Sequence, residues 1–86
     1  EDFEGMPTVT VERSVLKEGI NILDLLVSTG LVPSKGEGRR LIQQGGLYLN
    51  NERVETIDRM VNESDLEDSR MIVRKGKKSY FKIVAK

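Results

Sequence analysis

Cysteine and histidine are both absent from the 86 residues. Their absence excludes a disulfide framework, thiol or imidazole catalysis, and the zinc sites built from those ligands. Long apolar runs are missing as well; the longest, such as Leu25–Val27 and Met71–Val73, reach three residues. A membrane helix needs about 20, so no segment reads as a spanning helix or a signal peptide. Net charge is missing too, because 14 Lys and Arg balance 14 Asp and Glu. The first residue is Glu rather than an initiating Met, so the sequence reads as a piece of a longer protein or an engineered fragment. What remains is 37% hydrophobic and 33% charged, a soluble globular balance sufficient for one small domain with a small core.

The zero balance conceals a segregation. Residues 1–34 are net −4 and residues 46–69 net −5, whereas residues 35–45 are net +2. Residues 70–86 hold seven bases and no acid: Arg70, Arg74, Lys75, Lys77, Lys78, Lys82 and Lys86. Two basic segments in a neutral domain suggest one positive face, the electrostatic footprint of a phosphate backbone. The plainer reading is a Lys-rich tail that keeps the chain soluble.

Residues 1–19 are acidic and punctuated by Gly and Pro, with one alternating stretch at Thr8–Val11. They read as a linker able to add an edge strand, ahead of a single domain over 20–86. Asn21 is placed to cap a short helix carrying Ile22, Leu25 and Leu26 at helical spacing, and Gly30 is placed to end it. Ser34 and Glu37 form a capping-box pattern for a second helix from about Lys35 to Gln44, stopped by Gly45-Gly46. On that helix Lys35, Arg39, Gln43 and Arg40 fall within an arc of about 140°, while Leu41 and Ile42 point away. Gly36 and Gly38, each costing about 1 kcal/mol against Ala, imply a loose first turn or the close approach of another backbone. Leu47–Leu49 and Glu52–Val54 flank Asn50-Asn51, a two-residue hairpin turn that sets Tyr48 opposite Arg53 and Leu47 opposite Val54. Residues 55–69 read as loop with a helical turn near Ser64–Asp68. Arg70–Arg74 and Ser79–Val84 make a second hairpin whose register the pattern leaves open. The fold class expected is α+β, two adjacent helices packed on a small antiparallel sheet.

Independent catalysis finds little support. No pair of carboxylates sits in an apolar setting that would separate acid from base. Neither Gly36/Gly38 nor Gly45-Gly46 matches a phosphate loop or a dinucleotide fingerprint at its strand–helix junction. Ser34 reads as a cap, since no His exists to activate it. No cofactor and no metal is expected. Nucleic-acid binding has positive support: the Ser34-capped helix offers free amides and a positive dipole end, and Lys35, Arg39, Arg40, Lys75, Lys77 and Lys78 can contact phosphates and sugars. Gln43, Asn50 and Asn51 are available for 2′-hydroxyls or base edges, and Tyr48 and Tyr80 for stacking or ordinary strand packing. The rival for Arg39 and Arg40 is salt bridging to the acidic 55–68 segment.

Residues 33–51, PSKGEGRRLIQQGGLYLNN, resemble the two-helix-and-hairpin αL motif of the ribosomal-protein-S-four-like RNA-binding domains. The residues that carry this are Ser34-Lys35, Arg39-Arg40-Leu41-Ile42, Gln44-Gly45 and Leu49-Asn50, within a motif core over 20–54. With Met6–Val9, Gly30–Lys35 and Arg74–Tyr80 added, the whole chain is similar to the C-terminal domains of bacterial tyrosyl-tRNA synthetases. That resemblance implies a non-catalytic, cytoplasmic appendage without a cofactor, monomeric alone and joined to the catalytic domains of a homodimeric ligase that handles ATP. It implies a grip on tRNA(Tyr) near the long variable arm, during aminoacylation. The alternatives are the RNA-binding module of a pseudouridine synthase or ribosome-associated protein and, in another class, an interdomain or protein-interaction module on the acidic 55–68 face.

Overall fold

A computed structural model of the chain describes residues 7–76 and 79–86. In chain order the first elements are β1 (Thr8–Val11), α1 (Arg13–Glu18), β2 (Ile20–Asn21), α2 (Ile22–Ser28) and α3 (Lys35–Gln43). Then come β3 (Leu47–Leu49), β4 (Glu52–Arg53), β5 (Met60–Val61), a 3-10 turn at Glu63–Asp65, β6 (Arg70–Lys75) and β7 (Ser79–Ala85).

Period-two alternation in the closing segment builds the centre of the sheet. β6 and β7 pair antiparallel from Arg70↔Val84 to Lys75↔Ser79. In that register Met71, Val73, Ile83 and Ala85 are buried on one face, while Ile72, Arg74, Tyr80 and Lys82 alternate onto the other. The five strands run β1-β7-β6-β3-β4, and β2 and β5 form a separate two-stranded ribbon. The expected α+β class is borne out. The sheet is mixed rather than wholly antiparallel, because β1 lies parallel to β7 from Thr8↔Lys82 to Val11↔Ala85.

The signals read for α2 operate as expected. The Asn21 side chain accepts from the Leu23 amide at 2.9 Å, and Gly30 takes a φ of 79° while the Leu31 amide returns to the Leu26 carbonyl at 2.9 Å. Leu16, Ile22, Leu25, Leu26, Ile42, Leu47 and Leu49 join the sheet's buried residues in one core. The first hairpin also has its expected pairing, Tyr48↔Arg53, with the Val54 amide bonded to the Leu47 carbonyl.

Four expectations are corrected. The linker reading of 1–19 fails at Arg13–Glu18, where α1 folds and buries Leu16 completely; β1 is the edge strand that reading allowed. Glu12 gives α1 no side-chain cap and only one of its six residues is fully buried, so the apolar pattern is too sparse to announce it. The loop at 55–69 contains β5, paired with β2. The capping box at α3 is half made: Ser34 Oγ accepts from the Glu37 amide at 3.3 Å, but the Glu37 carboxylate turns to Arg40 at 3.7 Å. Gly38 is approached by a side chain rather than a backbone, since a Cβ there would lie 2.7 Å from Leu23 Cδ2 of α2.

Candidate nucleic-acid interface

The basic arc of α3 survives folding because Gly38 and Ile42 take up the buried edge. Lys35, Arg39, Arg40 and Gln43 are all exposed. Lys35 Nζ pairs with Asp24 of α2 at 2.8 Å, and Arg40 pairs with Glu37 one turn earlier. Both pairs are solvent-exposed, so they hold their cations only weakly. Arg39 makes no ion pair among the described residues. Neither arginine bridges to the acidic 55–68 segment. That segment is served by Arg59 on Asp65 at 2.8 Å, Arg53 on Glu55 at 3.6 Å and Arg13 on Glu63 at 3.6 Å.

The second basic stretch is brought to this helix by glycine. Gly46, just past α3, accepts from the Gly76 amide at 2.6 Å. Gly76 has a φ of 72° and begins the turn of the C-terminal hairpin. A crevice of about 230 Å³ runs between Pro33, Glu37 and Leu41 on the helix side and Lys75 and Gly76 on the hairpin side. Lys77 and Lys78, the next residues in the chain, lie outside the described residues.

Other sequence candidates divide by their bonding. The Lys75 ammonium donates to the Leu31 carbonyl and stands 5.2 Å from the Phe81 ring, so it tethers β6 to the turn that follows α2. Asn50 is committed inside the fold: its amide donates to the Asp65 carbonyl at 2.6 Å and its oxygen accepts from the Ile72 amide at 3.0 Å. Asn51, beside it, is exposed.

Across the outer face of the sheet, strand pairing lines up Arg53, Tyr48, Arg74 and Tyr80 in one row. The Arg74 guanidinium lies 3.8 Å from the centre of the Tyr48 ring. Hydrogen bonding to Tyr80 first, then to Tyr48, holds it above its ordinary pKa against a partial desolvation. Sequence reading missed Arg74 as a site residue, because only the register of the second hairpin sets it between the two tyrosines. No group of three or more metal-ligating side chains occurs among the described residues, and no helix there is long and apolar enough to cross a membrane.

A family model described as the tyrosine–tRNA ligase SYY-like C-terminal domain matches residues 1–83. Among curated relatives, the tyrosine–tRNA ligase of Acetivibrio thermocellus is 51% identical over 80 residues, covering 93% of this chain. That of Clostridium beijerinckii is 45% identical over 85 residues, covering 99%. The chain spans about a fifth of the length of these relatives, 20% in each case. A solution structure of a tyrosyl-tRNA synthetase C-terminal domain superposes with a TM-score of 0.72 at 32% identity, covering 98% of this chain and 85% of that one.

Proposed function

This chain belongs to the tyrosine–tRNA ligase SYY-like C-terminal domain family, and from that premise we propose that it grips tRNA(Tyr) near the long variable arm. In this reading the parent ligase, a cytoplasmic homodimer, performs aminoacylation in its catalytic domains, and this module supplies tRNA affinity. The observation that carries the proposal is the 2.6 Å bond between Gly76 and Gly46, which joins the exposed arc of α3 to Gly76, the residue that precedes Lys77 and Lys78 in the chain. A helix arc and an adjoining turn can bridge phosphates that one element alone could not reach. Ser34, Lys35, Arg39, Arg40, Lys77 and Lys78 are the phosphate and sugar contacts, with Gln43 and Asn51 turned to 2′-hydroxyls or base edges. Asn50 supports Asn51 from within, and Lys75 supports the turn.

The test is binding of tRNA(Tyr), and of a version lacking the long arm, to the chain alone and joined to its catalytic domains. Neutralising about five phosphates gives a log–log salt slope of roughly −3.5 to −4.5. The double variant Arg39→Glu/Arg40→Glu weakens binding by more than about tenfold. An unchanged Kd at fixed salt removes α3 as the recognition helix. Equal affinity for the truncated tRNA removes the long arm as the target.

A further inference from the structure

The row across the outer sheet face reaches α3 at a second cleft. Its volume is about 260 Å³, between the Gly45-Gly46 turn with Gly76 on one side and Tyr48 with Arg74 on the other, and Leu41 and Gln44 complete its lining. The glycines present no side chains to it, so backbone can approach a ligand closely. A Cβ added at Gly76 would meet nothing within 4 Å. The opposite wall is a cation already stacked on an aromatic ring.

We propose that this cleft seats one unpaired nucleobase of the bound RNA against the Tyr48–Arg74 pair, with Gln44 reading the base edge. Guanidinium planes and tyrosine rings both stack on bases, and the wall offers the two together. The cleft opens at the end of the basic arc, so a strand held on α3 by its phosphates can turn a base inward at Gly45. The inference rests on the RNA reading above, and it adds a non-electrostatic contact to a surface otherwise built from charge.

That difference supplies the test. Three RNAs are compared: a long-arm hairpin of tRNA(Tyr) with its unpaired nucleotides, the same hairpin made fully paired, and one in which each unpaired nucleotide in turn is abasic. Tyr48→Leu weakens the first by about tenfold or more, leaves the second unchanged, and leaves the salt slope unaltered because no phosphate contact is lost. Tyr48→Phe, which keeps the ring, retains near-normal affinity. In the unmodified protein, amide shifts at Gly45, Gly46 and Gly76 on adding the first hairpin vanish with one particular abasic RNA, a readout that requires no variant to fold. Equal loss of affinity for paired and unpaired hairpins, or glycine shifts indifferent to every abasic substitution, overturns the proposal. If Arg39→Glu/Arg40→Glu still weakens binding in that case, the stacking site alone has failed. If it too is inert, the RNA reading has failed with it.

Discussion

Asn50 and Asn51 are adjacent and alike in sequence, yet the fold uses them for different ends. Both adopt left-handed backbone, with φ of 51° and 71°, as a two-residue turn between right-twisted strands demands. Asn50 spends both ends of its amide on the Asp65 carbonyl and the Ile72 amide, binding the turn to the 3-10 segment and to β6. Asn51 makes no such bond among the described residues. Asn50→Ala therefore removes two hydrogen bonds and leaves a residue that resists positive φ, lowering stability by about 2 kcal/mol in urea unfolding. Asn51→Gly relieves backbone strain and raises stability by about 0.5 kcal/mol. Equal effects from the two would mean that the amide bonds of Asn50 contribute nothing. Sequence could mark both as turn residues from the local rule, but Asp65 and Ile72 lie 15 and 22 positions away, beyond any local pattern.

At the scale of elements, legibility followed signal strength. Helices α2 and α3 announced themselves by cap, apolar spacing and glycine stop, and the first hairpin by its turn dipeptide. Helix α1 and the β2–β5 ribbon did not, because six and two residues are stabilised by what they pack against rather than by their own propensity. The glycines of α3 show the same divide. Gly36 has only Ser34 Oγ within reach, at 3.8 Å, whereas Gly38 faces Leu23 across the α2–α3 contact. Gly36→Ala should raise stability by about 0.5–1 kcal/mol through helix propensity alone. Gly38→Ala forfeits that gain, since the buried Leu23 methyl must shift to make room. Thermal melts of the two variants decide it, and a Gly38→Ala midpoint as high as that of Gly36→Ala would show that the helices have room to spare. Of the candidate site, the cationic arc was legible because 3.6-residue periodicity dictates it. The Tyr48–Arg74–Tyr80 row was not, because it depends on a strand register that only three-dimensional pairing sets.

For the molecule as a whole, acid reaches the fold through Asp65. Burial alone would raise its carboxyl, but hydrogen bonds from Arg59 and the Asn62 amide, with the attraction of Arg59, hold it below the ordinary carboxylate range. A depressed carboxyl stabilises the fold above its unfolded pKa, and that contribution is lost as pH falls through the folded value. Unfolding free energy should accordingly drop between about pH 5 and pH 2, and the drop should be shallower in Asp65→Asn. Parallel curves for the two proteins would assign the acid sensitivity to other groups.

The parallel pairing of β1 with β7 has a mechanical corollary. The Lys82 amide bonds to the Pro7 carbonyl, the Lys86 amide to the Val11 carbonyl, and the Arg13 amide back to Lys86. Tension that draws Pro7 and Lys86 apart runs along both strands in opposite senses, so these bonds bear load together instead of parting one by one. A domain hauled on by its two ends would hold as a shear clasp, where an antiparallel edge would unzip.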